Sequence, residues 1–336
     1  MAEQDPLIGE VLAGDFQVTK LLGFGGYARV YLAEQVSVGR RPVAVKVIHG
    51  MHVDQTGQAA VAALKREATY LAMLRSPVFP RILRTGLTAD GRPFFAMEYV
   101  AGRTLDAILK RQRALPVDRV LLILDAVCDG LSEMHGRDIV HRDLKTGNIA
   151  VEESPPGVWR VRLLDLGSAK PLTEGAAAST STARWRPGSP PYLAPESVRD
   201  GVFTERSDLY SMAAVAYELL CGTRPVHIQE PTTEAYIEYL KSDRPIPTYR
   251  LGTLQPTVPE PLEDEIQKAL SRDPAGRHPS VYEFREAIHR AMGRPVGTPG
   301  IAPGTAKQKA SISDRLGSLF ATVRDRIRRE TGPDGS

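Results

Sequence analysis

The stretch His141-Arg142-Asp143-Leu144-Lys145-Thr146-Gly147-Asn148, with Asp165-Leu166-Gly167 after it, constrains this chain more than any other. A long apolar run with helical periodicity, Val117 to Met134, delivers the chain into His141. Ile149 to Glu152 and Val158 to Leu164 read as a hairpin between the two acidic loops, with Ser154-Pro155-Pro156-Gly157 as its turn. The first loop offers a carboxylate, an ammonium and an amide, and the second offers another carboxylate. Asp143 can accept a proton from a hydroxyl, and Lys145 can neutralise a transferring phosphoryl group. Asn148 and Asp165 are oxygen donors of the kind that hold Mg²⁺. An octapeptide alone is only suggestive, so the rest of the chain has to supply matching parts in order.

Upstream, Phe16 to Leu22 reads as a strand and leads into Gly23-Phe24-Gly25-Gly26-Tyr27-Ala28-Arg29-Val30. Arg29 to Gln35 alternates as a second strand, with Val30 and Leu32 on one face. A glycine-rich turn between antiparallel strands lets backbone approach phosphate oxygens with no Cβ in the way. Dinucleotide-binding fingerprints differ, because there a helix follows the glycines directly. Arg41 to Ile48 is a third strand whose alternation puts Ala44 and Lys46 on one side, and Ala59 to Leu74 is a helical stretch carrying Glu67. Val78 to Thr85 and Arg92 to Val100 read as strands closing a five-stranded small lobe, with Ala101-Gly102 at its boundary. Helices are then expected over Thr104 to Gln112 with Thr104 as N-cap, from Asp208 to Leu220, and over Glu230–Leu240, Leu262–Leu270 and Tyr282–Ala291.

Taken in order, these motifs resemble those of eukaryotic-like (Hanks-type) serine/threonine protein kinases, and the Ala/Arg-rich composition resembles the bacterial members. The resemblance covers about Phe16 to Met292. It implies an α+β bilobal fold, a small sheet lobe with one main helix at 16–100 and a mainly helical lobe at 101–292. It further implies ATP with Mg²⁺ (Mn²⁺ as an alternative), transfer of the γ-phosphoryl group to Ser/Thr hydroxyls of proteins, and autophosphorylation of the activation segment. Leu22, Gly23, Gly25, Gly26, Val30 and Ala44 would surround the nucleotide, with Lys46, held by Glu67, on the α/β-phosphates. Met97 would guard the back of the pocket, while backbone groups of Glu98 and Val100 recognise adenine. Asp143 and Lys145 would be catalytic, and Asn148 with Asp165 would hold the metal. His141 would be a satisfied core histidine, and Arg142 would read a phosphate on the polar segment after Asp165. Ser181 and Thr182 are the favoured phosphate acceptors there, with Thr180 kept beside them. Ser189 would bring its hydroxyl to Asp143 and Lys145. Glu196 of Ala194-Pro195-Glu196 would pair with Arg277, and Asp208 would hold the backbone of the catalytic loop.

Ala28, Thr146 and Leu166 depart from the family pattern, which has Gly, Pro and Phe there, although none of these changes removes a catalytic group. They motivate a rival reading as a pseudokinase, a nucleotide-binding signalling scaffold. A small-molecule kinase is disfavoured by the full segment ending at Glu196.

The 42% apolar and 25% charged content is ordinary for a globular protein. From Gly293 onward eight Lys/Arg face four acids, a basic tail on a near-neutral body, and nothing resembles a general nucleic-acid binder. Residues 1–15 read as an N-terminal extension without a secretory signal, and 293–310 as a flexible linker. Over 311–336, Ile312, Leu316, Leu319, Phe320, Val323 and Ile327 form a basic amphipathic helix, for docking on a protein or on an anionic membrane surface. No apolar run is long enough to span a bilayer, and Cys128 and Cys221 read as buried thiols, so a cytoplasmic location, peripheral at the membrane surface if the tail docks there, is the expectation. Oligomeric state leaves no mark.

Overall fold

The computed structural model describes residues 5–25, 27–48, 55–172 and 189–295. Gly26, the acceptor candidates Thr180, Ser181 and Thr182, and the segment 311–336 with its expected amphipathic helix lie outside the described residues. The described chain divides into two compact units, one comprising 5–74 and 80–101, the other 75–79 and 102–295.

The first unit is an antiparallel sheet with one helix. Its strands are β1 (Val11–Leu12), β2 (Phe16–Phe24), β3 (Ala28–Gln35) and β4 (Arg41–Ile48), then helix α1 (Gln55–Met73), then β5 (Ile82–Leu87) and β6 (Pro93–Glu98). Their order across the sheet is β1-β2-β3-β4-β6-β5, six strands rather than the five expected. The additional strand is β1, too short to show a period of two, which pairs Val11 with Gln17 and Leu12 with Phe16. Strand alternation divides the sheet into two faces. On one, Tyr31, Ala33, Val43, Val45, Val47, Phe94 and Ala96 form a core with Phe16 and Val18, closed by Leu7 and Leu12. On the other, Val30 lies opposite Lys46, and Ala44 opposite Met97.

The strand expected to begin at Val78 begins at Ile82 instead. Pro77 and Pro80 lack the N–H groups that a ladder uses. Val78 and Phe79 belong to the second unit, where Val78 O accepts from Leu163 N at 2.7 Å. Both side chains pack on the Cα of Gly130, where a methyl group would collide with Val78 Cγ1 at 2.5 Å.

The second unit runs through β7 (Arg103–Thr104), α2 (Leu105–Gln112), α3 (Val117–His135), β8 (Ile139–Val140), β9 (Ile149–Glu153), β10 (Trp159–Leu163) and β11 (Lys170–Pro171). Helices α4 (Pro195–Arg199), α5 (Glu205–Cys221), α6 (Thr233–Lys241), α7 (Leu251–Leu254), α8 (Glu260–Ala269) and α9 (Val281–Ala291) follow. Val120, Leu121, Leu124, Val127, Cys128, Leu131 and Met134 of α3 are all buried, which is why the apolar periodicity there was so regular. Thr204 begins α5 with a reciprocal capping box to Ser207, and Gly222 ends it in the left-handed conformation. Thr104 does stand at the N-cap of α2, but its side chain makes no capping bond. Gly102, the first residue of this unit past the boundary, lies so close to the Val151 carbonyl that a Cβ would overlap it. Among the described residues no helix is long and apolar enough to cross a membrane, and both cysteines are buried free thiols.

A buried ion pair joins α4 to the loop before α9. Arg277 donates from Nη1 to Glu196 Oε1 at 2.7 Å and from Nη2 to Oε2 at 2.8 Å, with side-chain exposures of 0% and 7%. Further bonds from Arg277 to Ser271 O, Arg206 O and Arg272 O saturate the guanidinium. Removing one partner strands the other charge without water. Arg277→Ala is expected to lower unfolding free energy by about 3–5 kcal/mol in urea titrations, whereas an Arg277→Met/Glu196→Leu double variant recovers part of that loss.

Candidate active site

In the first unit, β4 carries Lys46 on the face away from Tyr31 and Val45, and α1 brings Glu67 over it. Lys46 Nζ donates to both Glu67 oxygens at 2.7 Å, and Glu67 is 2% exposed. A buried carboxylate of this kind fixes an ammonium that would otherwise sample several rotamers. Val30, Ala44 and Met97 share that face. At the mouth of the β2–β3 hairpin, Gly25 N donates to Ala28 O at 2.7 Å; a Cβ on Gly25 would sit 3.2 Å from that oxygen, so the turn favours glycine. Leu22 lies 41% exposed on β2. The Glu98 amide donates to Arg81 O at 2.9 Å, which confines the expected adenine role of Glu98 to its carbonyl.

In the second unit, α3 and β8 lead into a loop that hangs from one carboxylate. Asp208, near the start of α5 and 1% exposed, accepts His141 N at 2.8 Å on Oδ2 and Arg142 N at 2.9 Å on Oδ1. His135 Nε2 meets Oδ2 at 2.8 Å. Arg142 takes a positive φ of 70°, and its guanidinium stacks on the Phe203 ring with Cζ 4.7 Å from the centroid. The segment that Arg142 is expected to read lies outside the described residues. His141 is fully buried but satisfied at one nitrogen only: Nδ1 accepts Asp143 N at 3.3 Å, and Nε2 has no partner among the described residues.

The loop then gathers its functional groups. Lys145 Nζ lies 2.9 Å from Asp143 Oδ2. Asn148 Nδ2 donates to the Asp143 carbonyl at 2.8 Å and to Oδ2 at 3.1 Å, which puts the Asn148 oxygen on the other side of its amide group. The Asp143 carboxylate is thus oriented by two side chains. Asp165 accepts Gly167 N on Oδ1 at 3.0 Å, and Leu166 beside it is buried at 1% exposure. An amide oxygen and a carboxylate are hard donors that fit a small divalent cation sharing its remaining ligands with phosphates. Ser189 reaches Asp143 through its backbone N–H, 3.3 Å from Oδ1; the contact expected of its hydroxyl is made by the main chain, where the chain turns into Pro190-Pro191-Tyr192.

Thr146, where the family has proline, is buried and bonded: its Oγ1 lies 2.9 Å from the Tyr192 hydroxyl, which donates to Glu218 Oε2 at 2.5 Å. Arg224 lies 3.7 Å from Glu218 Oε1, with its guanidinium against the Tyr192 ring. Burial pushes the Glu218 carboxyl above its ordinary range despite these partners. With Lys145, Ser189 and Tyr236, the residues Thr146, Tyr192 and Arg224 line a cleft of about 400 Å³ beside Asp143's loop. Sequence reasoning missed His135, Tyr192, Glu218 and Arg224.

Burial raises the Asp208 carboxyl, yet the His135 bond and charge, with His141, hold it below its usual 3.8. Its stabilisation is therefore complete above pH 3.8 and lost as pH falls through the lower folded value. Asp208→Asn is expected to melt several degrees lower at neutral pH and to show a shallower acid limb in a Tm–pH series; parallel limbs would contradict the assignment.

Comparison with known proteins places this geometry. A family model described as the protein kinase domain matches residues 16–289. The serine/threonine-protein kinase pkn3 of Myxococcus xanthus is 34% identical over 288 residues, covering 85% of this chain and 51% of the relative. The kinase pkn2 of the same organism is 35% identical over 301 residues, 87% of this chain and 35% of the relative. The serine/threonine-protein kinase PknB of Mycobacterium tuberculosis is 29% identical over 323 residues, 95% of this chain and 49% of the relative. The chain thus spans about half or less of the length of these relatives. With its Lys46–Glu67 pair, its Asp208-hung loop and its Glu196–Arg277 anchor, the chain belongs to the protein kinase family.

Proposed function

We propose that the chain is an ATP-dependent protein serine/threonine kinase, and the observation that carries this is the Asp143–Lys145–Asn148 constellation. Asp143 accepts the proton of a Ser or Thr hydroxyl as its oxygen bonds to the γ-phosphorus and the bond to ADP breaks. The carboxylate needs no reorientation for this, because Lys145 and Asn148 already hold it. Lys145 stays beside the transferring group and offsets its charge. Lys46, its ammonium fixed by Glu67, takes the α/β-phosphates, and the glycine-rich turn lets backbone approach them with no Cβ in the way. Asn148 and Asp165 would hold Mg²⁺, or Mn²⁺ in its place, which when bound neutralises phosphate charge. The cleft lined by Thr146, Tyr192 and Arg224 takes the polypeptide flanking the acceptor hydroxyl. A reducing, cytoplasmic setting for these residues agrees with the buried thiols of Cys128 and Cys221.

The pseudokinase reading finds no support. Every group that transfer requires is present, and Thr146 and Leu166 fill buried positions without disturbing them.

Incubation with Mg-ATP followed by mass spectrometry tests the reading. Phosphate is expected on Thr180, Ser181 or Thr182 of the wild type and on none of them in Asp143→Asn or Lys46→Met. Asp143→Asn is expected to cut the transfer rate at least about 100-fold while Mg-ATP affinity changes little. ATP binding with no transfer to the chain or to added protein substrates would sink the proposal in favour of a scaffold.

A further inference from the structure

Asp5 lies eleven residues ahead of the first long strand, in a segment to which neither the motifs nor the proposed mechanism gives a role. Its carboxylate collects three donors. Arg29 Nη1 donates to Oδ2 at 2.6 Å, the Tyr31 hydroxyl lies 3.0 Å from Oδ2 and 3.2 Å from Oδ1, and Leu7 N donates to Oδ1 at 3.1 Å. Burial pushes this carboxyl up, but the Leu7 amide, the Tyr31 hydroxyl and the Arg29 guanidinium together hold it below its ordinary range. The segment carrying it is itself immobilised. Leu7 and Leu12 are buried in the sheet core, Gly9 N donates to Val18 O at 2.9 Å, and Val18 N donates to Glu10 O at 2.8 Å. Asp5 is therefore a fixed negative charge at the start of β3.

What it fixes is the base of the glycine-rich turn. Arg29 forms a direct cross-strand pair with Phe24, and the two flank the turn that Gly25 N and Ala28 O close. The Arg29 guanidinium carbon lies 5.8 Å from the centre of the Phe24 ring. Phe24 is 77% exposed, so no core holds that ring. Its contact is with the Arg29 cation, and that cation is held by Asp5.

We infer that Asp5 is a positioning residue for the nucleotide phosphates: through Arg29 and Phe24 it anchors the turn whose backbone cradles them. The inference rests on the kinase reading, since that reading supplies the phosphate ligand. An anchored turn has less conformational freedom to lose when phosphate oxygens dock on it, and releasing Arg29 gives that freedom back to the free protein. A mere staple between segment and sheet would act differently, weakening the unit as a whole without distinguishing ligands by their phosphates.

Calorimetric titration of the full chain with Mg-ATP and, separately, with adenosine distinguishes the two. Asp5→Asn keeps the shape and loses the charge. It is expected to weaken Mg-ATP about tenfold and to leave adenosine within about twofold. An Asp5→Asn/Arg29→Gln double variant is expected to be no weaker than the more affected single variant, because the two residues act in series. If Asp5→Asn does not fold, Arg29→Gln alone, which leaves Asp5 bonded to Tyr31 and Leu7, gives the same comparison. Equal weakening of both ligands, or Mg-ATP affinity that is unchanged or tighter, would overturn the inference and leave a staple. Failure of the wild type to bind Mg-ATP would instead bring down the kinase reading itself.

Discussion

The second unit depends on one buried carboxylate. A loop that gathers Asp143, Lys145 and Asn148 cannot satisfy its own backbone by helix or ladder bonds, so its N–H groups need an acceptor from elsewhere. Asp208 supplies it, taking His141 N and Arg142 N on its two oxygens, with His135 closing the arrangement from the end of α3. That support lets Arg142 adopt a positive φ, a conformation a bulky side chain avoids unless its surroundings enforce it. The turn it makes aims the next residue, Asp143, toward Lys145 and Asn148. The placing of Asp143 therefore rests on a carboxylate that is itself buried.

The same logic recurs around it at longer range. Thr146 exchanges the rigidity of a proline ring for a directional hydrogen bond, tied through Tyr192 to Glu218 on α5. Glu196 and Arg277 fix the end of the polar segment. In the first unit Glu67 orients Lys46, and Asp5 orients Arg29. Lys46, Arg29 and Arg277 each have their position set by a buried or half-buried carboxylate from a distant part of the chain, so the geometry survives the mobility of long side chains.

How much of this could be read beforehand follows from the range of the signals. Lys46 lies on a strand with a clear period of 2, so its face was legible, whereas its meeting with Glu67 was legible only through the family resemblance. Glu196, Arg277 and Asp208 were legible only through motif order, since nothing local marks a partner 81 residues away. The partners of Thr146 were not legible at all: a hydroxyl bonding across the chain leaves no spacing rule, and tyrosines and glutamates are common. Strand β1 escaped because two residues cannot show alternation, and Asp5 because a lone acid near a terminus reads as solvated surface. The displaced start of β5 reflects tertiary packing: Val78 and Phe79 are apolar and β-prone, yet they are claimed by Gly130 and Leu163.

The Glu196–Arg277 pair also bears on the order in which the chain can fold as it is synthesised. The sheet of the first unit is complete once residue 98 has emerged, and all its pairings lie within that length. The second unit is different, because Glu196 stays without its counter-charge until Arg277 appears, by which point α8 has also left the ribosome. Until then, burying α4 beside α5 would take an unpaired carboxylate out of water, a penalty of several kcal/mol. Vectorial folding therefore delays the burial of α4 until nearly the whole unit is available.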